Sequence, residues 1–377
     1  MRKLLVLASI MFGAMLGSSK NMNAAEVQEN PVDRGLSWLV KHQEPDGHWN
    51  ARKWSAAKET DTAVTSFALL ALLGAGHSEK VGEYRDNVRR CVAWLKSKQV
   101  DTTDAGGIID EAHGVALASL ALAEATGMAN VPATREVAQK VFDRCVEIFP
   151  FKKTIAADGK TILTIDETAD TPTVGWCVMA WKSARVAGLK VQPDAFDALV
   201  GYLDSVEHKL QKMPEDDVAP SEYWFRKQEQ IGDGHPSYRV SAIACLSRQF
   251  LGGKREALRS SVAHFIKQSG VPAWNKNGEN VDLYYWWPAT LCAFQQGNAG
   301  YVHIEPQVDE LKIWQTWSEA KSKAITENQC KDGDDAGSWN AQGFASREWG
   351  RVGQTALGCL SMEVYYRYMQ VAHDLGK

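Results

Sequence analysis

The sequence predicts an all-α protein of (α/α)6 toroid class, a double barrel of six inner and six outer helices. Three observations lead there. A helix–loop–helix unit recurs six times along the 377 residues. The two helices of each unit carry different apolar patterns. The unit length, roughly 50–60 residues, exceeds that of common solenoid repeats while keeping their regularity.

The first unit is the clearest. Gly35-Leu36-Ser37-Trp38-Leu39 opens a helix that reaches Gln43, and the loop Glu44-Pro45-Asp46-Gly47-His48-Trp49 follows. A second helix runs from Thr62 to Leu73 and is closed by Gly74-Ala75-Gly76. Matching first helices are expected to begin near Cys91, Val141, Phe196, Val262 and Ala320, and matching second helices near Ala112, Thr171, Ser237, Tyr284 and Arg351. Leu36, Leu39 and Val40 are spaced three and four apart, which makes one buried stripe with polar residues opposite. The second helices, such as Phe67 to Leu72 and Val115 to Leu122, are apolar nearly all round. A helix without a polar face is buried on every side, so these form the inner ring. The sixth pair docks on the first, because an open stack would need polar caps at both ends.

Ahead of the repeats, Met1-Arg2-Lys3, an apolar run from Leu4 to Gly17 and Ser18-Ser19-Lys20 read as an export leader ending near Ala25. The run is about 14 residues, too short to span a bilayer. The expected organisation is a signal peptide over 1–25 and one toroid domain over 26–377, in a secreted or periplasmic protein that does not span a membrane. The net charge of −4 becomes about −7 without Arg2, Lys3 and Lys20, which gives nucleic acid no basic surface. The seven cysteines lie mostly in apolar helix stretches. They read as buried free thiols acting as small hydrophobes, and no C-x-x-C spacing proposes a metal. No cofactor is expected, and the oligomeric state is left open.

The loops carry a second pattern. Gln43-x-x-x-Gly47-x-Trp49 and Gln329 to Gly337-Ser338-Trp339 place Gln, Gly and Trp in one order, with weaker relatives at Gln99 with Gly106-Gly107 and at Gln268 with Gly270 and Trp274. A Gln amide both donates and accepts, so it can tie free backbone groups at a helix end. The Trp then packs across the joint. The motif reads as a staple between repeats. On these residues the chain resembles the squalene–hopene cyclase and prenyltransferase repeat superfamily, a likeness covering nearly the whole chain after the leader and implying the toroid. Gly350-Arg351-Val352-Gly353-Gln354-Thr355-Ala356-Leu357, Glu363 to Tyr368 and Asp282-Leu283-Tyr284-Tyr285-Trp286-Trp287 look more specifically like exported proteins of Planctomycetes and related bacteria.

The chemistry that this resemblance implies loses its key residues here. Alkene protonation by the cyclases uses Asp-x-Asp-Asp-Thr-Ala, whereas Glu59-Thr60-Asp61-Thr62-Ala63 has Thr at the acid's position and Ala169-Asp170-Thr171-Pro172 has Ala. Asp332-Gly333-Asp334-Asp335 spells the acidic run, but it lies in the staple loop and reads as a solvated turn. The zinc of protein prenyltransferases needs a His on a late inner helix, which Arg351 to Met362 lacks. The Cys-Gly-Glu-Gln of thioester toroids is absent.

What remains is the ring of residues at the start of each inner helix, which converge on one mouth of the central cavity. In register these are Asp61; Asp110, Glu111 and His113; Asp170; Asp233 and His235 with Tyr238 and Arg239; Asp282 with Tyr284 and Tyr285; and Trp349 with Arg351. Asp110, Glu111, His113, Asp170, His235 and Asp282 are the catalytic candidates, and Asp61, Tyr238, Tyr284, Tyr285 and Arg351 the ligand-binding ones. Asp61 and Asp170 are equally readable as helix caps, and His113 and His235 as satisfied buried residues. Arg351 either holds an anion or pairs with Asp61 across the closure. The expected function is a toroid that binds a small molecule, lipid, glycan or partner in its cavity. The alternative is an enzyme with a carboxylate or His acid–base site acting on a glycan or isoprenoid.

Overall fold

A computed structural model describes residues 30–57, 59–99, 111–155, 158, 161–212, 218–231, 236–297, 308–343 and 346–364. Its contacts make one unit from Pro31 onward. The leader expected over 1–25 and the weaker Gly106-Gly107 loop lie outside the described residues.

Outer and inner helices alternate along the chain. The outer ones are α1 (Pro31–Lys41), α3 (Arg85–Gln99), α5 (Pro132–Ile148), α7 (Asp194–Ser205), α9 (Arg255–Ser269) and α11 (Val308–Glu327). The inner ones are α2 (Asp61–Gly74), α4 (Glu111–Ala129), α6 (Thr171–Val186), α8 (Tyr238–Phe250), α10 (Leu283–Gly297) and α12 (Ser346–Met362). Each inner helix packs on the next, and α12 packs back on α2, so the ring is closed. The outer helices wrap it: α1 lies on α12 and α2, α5 on α4, α9 on α8 and α10, and α11 on α10. Residues 63–73 of α2 are buried without a break, as an inner helix requires. No described helix is long and apolar enough to cross a membrane.

Inner-helix starts match the sequence reading closely, but outer ones begin earlier than expected. α3 starts at Arg85 rather than near Cys91, α5 at Pro132 rather than Val141, and α11 at Val308 rather than Ala320. The first turn of α3, Arg85-Asp86-Asn87, is polar and largely solvated, so its apolar stripe begins only a turn inside the helix. Two hairpins were also not expected. β1 (Phe151–Ile155) pairs antiparallel with β2 (Thr161–Ile165) between α5 and α6, and β3 (Glu207–Lys209) with β4 (Ser221–Tyr223) between α7 and α8. The strands of the first are rich in Thr and Ile, and the sequence between them holds Asp158-Gly159, a hairpin signal. All seven cysteines are free thiols, six buried and Cys330 half-buried.

The staples follow the expected geometry in the first and sixth repeats. Gln43 Nε2 donates to Gly47 O (2.9 Å) and to Asn87 O (3.0 Å) at the start of α3. Gln329 Nε2 donates to Gly337 O (2.7 Å) and to Pro31 O (2.7 Å) at the start of α1. Trp49 Nε1 donates to Leu39 O and Trp339 Nε1 to Ile325 O, both at 2.7 Å. The Trp49 amide reaches Thr65 Oγ1 at 3.1 Å and the Trp339 amide reaches Thr355 Oγ1 at 3.3 Å. One device thus joins repeat one to two and repeat six to one. Repeat five departs from it. Gln268 Nε2 donates to Glu222 Oε1, and Trp274 Nε1 donates to Gln342 Oε1 in the sixth-repeat loop, so this pair is no staple. Replacing Gln329 by Ala removes the donor to the buried Gly337 carbonyl and to the half-buried Pro31 carbonyl. Stability in urea titration should fall by roughly 2–4 kcal/mol, about as for Gln43→Ala.

Lys321 on α11 is fully buried and donates to Ser361 O of α12 at 3.0 Å. Burial pushes its ammonium down from 10.5 to about 8. A lysine with a lowered value favours its neutral form in the fold. Between pH about 8 and 10.5 the unfolded chain therefore binds more protons, and stability from this group rises with pH. Relative to Lys321→Met, the wild type should gain about 3 kcal/mol between pH 7 and pH 10.5, read from paired denaturant titrations. An unchanging difference would remove the buried-ammonium account.

Candidate functional site

The alternation brings every inner-helix start to one end of the barrel, and the aromatic residues of five inner helices meet there. Phe67 (α2) lies 5.5 Å from Trp176 (α6) and 5.2 Å from Trp349 (α12), ring centre to ring centre. Tyr284 (α10) is 4.9 Å from Trp349 and 6.0 Å from Trp176. Trp287, one turn further along α10, stacks beneath Trp176 at 5.1 Å and 14°. His113 (α4) sits among Trp176, Trp349 and Tyr284 at 5.9, 6.1 and 6.3 Å. Rings this close leave no passage between them. They form a floor across the barrel, with Phe67, Trp176 and Trp287 buried and His113 and Tyr284 half-buried.

The floor has a polar side. Trp176 Nε1 donates to Tyr284 Oη at 2.8 Å, which frees the phenol's own hydrogen to be donated elsewhere. Burial pushes the Tyr284 phenol above its ordinary value, so it stays protonated and acts as a donor near neutral pH. His113 is the one described imidazole within this ring of aromatics.

The carboxylates of the sequence-derived ring are engaged. Asp170 caps α6, its Oδ1 accepting from the Thr173 amide (2.8 Å) and its Oδ2 from Thr173 Oγ1 (3.0 Å). Asp282 caps α10 by accepting from the Tyr285 amide (3.0 Å), and its second oxygen pairs with Arg239 of α8. Burial pushes the Asp282 carboxyl above its ordinary value while the Arg239 guanidinium and the Tyr285 amide pull the other way. Asp61 Oδ1 accepts from the Ala51 amide (2.8 Å), and its Oδ2 faces His48 Nε2 at 3.6 Å, so it ties down the α1–α2 loop. His48 lies between Asp61 and Asp46 and stacks on Trp94 at 5.0 Å and 13°.

Three expected ligand contacts are placed elsewhere. Tyr285 is buried against the outer wall, its Oη 2.6 Å from Ser269 Oγ of α9 and its ring against Phe265, Trp317 and Tyr238. Successive helix residues point 100° apart, so Tyr284 and Tyr285 cannot both face the centre. Tyr238 packs on Tyr285 at 4.9 Å, in the same seam. Arg351 does not pair with Asp61. It donates to Ser338 Oγ (2.8 Å) and Asn340 Oδ1 (2.9 Å) and pairs with Asp335 (3.0 Å), fastening the sixth staple loop. Asp110, Asp233 and His235 lie outside the described residues, and Glu111 is described only as the first residue of α4. Elsewhere on α10, Trp286 meets Trp274, and Phe294 meets Trp314 of α11. Sequence reading passed over Phe67, Trp176 and Trp287, which lie a turn or more inside apolar helices and carry no signal beyond their size. Among the described residues no group of three His, Cys, Asp or Glu side chains could hold a metal ion.

No protein-family profile and no curated protein sequence matches the chain. Solved structures do match its fold. An α-1,6-mannanase from a Salegentibacter species aligns with 89% of this chain and 97% of its own, at TM-score 0.54 and 10% identity. Cellobiose 2-epimerase from Bacillus thermoamylovorans aligns over 88% and 97%, at 0.55 and 12%. Unsaturated glucuronyl hydrolase from a Bacillus species aligns over 90% and 98%, at 0.56 and 12%. Identities this low establish a shared (α/α)6 toroid and nothing finer.

The separate engagements of Asp61 and Arg351 give a direct test of the mouth's wiring. The stability costs of Asp61→Ala and Arg351→Ala should add in the double variant to within about 0.5 kcal/mol. A larger coupling in denaturant titrations would restore the pairing across the closure.

Proposed function

We propose that the chain is a carbohydrate-acting toroid in which a sugar ring lies on the aromatic floor, His113 exchanges a proton with it, and Tyr284 holds it by a hydrogen bond. The observation that carries this reading is the half-buried His113–Tyr284 pair, 6.3 Å between ring centres, set on the floor of Trp176 and Trp349. The C–H face of a pyranose packs on aromatic rings, while its hydroxyls need donors and acceptors at the edge. A concave apolar floor with a few convergent polar groups is what a small-molecule site requires. Hydrolysis by two carboxylates needs them free at about 5–10 Å across the scissile bond. The described mouth carboxylates Asp61, Asp170 and Asp282 are all committed to caps and ion pairs. The chemistry left to His113 is proton transfer, with the phenol of Tyr284 as donor.

The saccharide-acting neighbours, among them a D-mannose isomerase at TM-score 0.55, lend this reading support by analogy of fold. The low charge of the floor favours a second reading, a site that binds the same ligand without turning it over. We further infer that the Gln–Trp staples place the chain beside the squalene–hopene cyclase and prenyltransferase repeat proteins in architecture, and that residues 1–25 direct export to a saccharide-rich exterior.

The test is calorimetric titration of the full chain with cellobiose, α-1,6-mannotriose and D-mannose, followed by product analysis by NMR. At least one should bind. Tyr284→Phe should weaken binding about tenfold, the loss of one hydrogen bond to a ligand. His113→Ala should reduce turnover 10²–10⁴-fold, about the contribution of one acid–base group, while binding falls only a few-fold. Turnover unchanged in His113→Ala would remove the proton-transfer role, and binding without any turnover would select the second reading.

A further inference from the structure

An indole of the floor has an unused donor. The indole N–H of Trp349 has no hydrogen-bond partner, although the side chain is only 6% exposed. A buried donor left without an acceptor costs about 1–3 kcal/mol, which an acceptor brought by a ligand would recover. Trp54 and Trp181 Nε1 are unpartnered too, but they pack on Trp38 and on Phe142, away from the floor. Trp287 Nε1 is likewise unpartnered, but its ring is fully buried and stacked beneath Trp176. Trp349 differs in its neighbours, for it borders the two half-buried side chains of the floor, Tyr284 at 4.9 Å and His113 at 6.1 Å.

The backbone holds this ring in place. Gly350, the next residue, has φ 56° and ψ −157°, outside the helical region within α12. A Cβ on it would lie 2.2 Å from Trp54 O and 2.7 Å from the Ala56 amide. On the other side, Thr60 Oγ1 donates to Glu348 O at 2.7 Å, and the Ala57 amide donates to Arg347 O at 2.8 Å. The α1–α2 segment thus grips residues 347–350 on both flanks of Trp349, where only glycine fits the bend.

Charge narrows the ligand. The described arginines near the mouth are engaged, Arg239 with Asp282 and Arg351 with Asp335, Ser338 and Asn340. An acidic sugar would bring a carboxylate onto an apolar floor whose neighbouring arginines are already engaged, which is costly. A neutral sugar brings only hydroxyl and ring oxygens.

We propose that Trp349 is the specificity-determining residue of the mouth. Its indole N–H donates to an oxygen of an uncharged saccharide, and Gly350 is the positioning residue that aims it. This rests on the carbohydrate reading above and adds the donor, the neutral substrate class and the backbone device. Binding forms one N–H···O bond and transfers no proton.

The experiment titrates the full chain by calorimetry with α-1,6-mannotriose, cellobiose and D-glucuronate. It compares wild type with Trp349→Phe, which keeps an aromatic ring and removes the donor, with Gly350→Ala, and with Trp181→Phe as a control, an unpartnered indole packed on Phe142 and Phe149 outside the floor. The expected result is binding of a neutral sugar by wild type, loss of at least about tenfold in Trp349→Phe and Gly350→Ala, and little change in Trp181→Phe. If Trp349→Phe does not fold, nitrogen-15 spectra of tryptophan-labelled wild type replace it. A saturating neutral sugar should then move the Trp349 indole resonance and slow its exchange with solvent. Unchanged affinity in Trp349→Phe, or an unmoved resonance, overturns the donor while leaving the carbohydrate reading intact. Glucuronate binding more tightly than the neutral sugars overturns the substrate class. A wild type that binds none of the three overturns both the inference and the reading beneath it.

Discussion

Everything in this structure depends on closing the ring between its last repeat and its first. Inner helices that are apolar all round need a neighbour on each flank, and five of the six interhelix joints are made between neighbouring repeats. The sixth, α12 on α2, brings together segments almost 300 residues apart. Gln329 to Pro31 spans 298 positions and Thr60 to Glu348 spans 288. Joining ends separated by that length costs about 5 kcal/mol in chain entropy, more than any one hydrogen bond returns. Closure therefore rests on apolar burial along α12, α2 and α1, while the Gln329 staple and the Thr60 hydroxyl fix the register. The same Gln-to-carbonyl geometry at Gln43 joins two adjacent repeats 44 positions apart, where the entropic cost is smaller by about 2 kcal/mol. One local device thus serves both a short-range and a very long-range joint.

The architecture was legible because burial writes itself into composition. Phe67-Ala68-Leu69-Leu70-Ala71-Leu72 can be read only as a helix enclosed on all sides, and it is. The outer helices were legible in number but not in extent, since a polar first turn such as Arg85-Asp86-Asn87 carries no apolar spacing. The two hairpins were missed for a related reason: each is a short insertion, and the repeat pattern spoke for helices on either side of it.

The site was legible to the level of its location and no further. Sequence reading went to the first residues of each inner helix, but position along a helix selects caps. Asp61, Asp170 and Asp282 are found there because helix starts want acceptors for free amides, and their oxygens are used accordingly. What decides which side chain meets the cavity is rotation about the helix axis, and 100° separates Tyr284, on the floor, from Tyr285, against the outer wall. His113 and Tyr284 were on the list and meet on the floor. Trp176 and Phe67 were not, because a large aromatic inside an apolar run reads the same whether it plugs a barrel or fills a core.

That ambiguity has a physical content of its own. The rings that make a platform at the mouth are the rings that fill the middle of the barrel, so the two roles cannot be varied independently. A barrel of six inner helices leaves an axial gap that small aliphatic residues do not fill, and the Trp176–Trp287 stack with Phe67 and Trp349 occupies it from side to side. Trimming one of these rings would deepen the bowl and at the same time open a void beneath it, at a cost that grows with its volume. Trp349 is where this linkage is tightest. The residue before it accepts the hydrogen bond that registers α2 on α12, and the residue after it is the glycine wedged against Trp54. The contact that closes the ring and the Trp349 ring of the floor are therefore held by four consecutive residues, and the shape of the floor is a consequence of the closure itself.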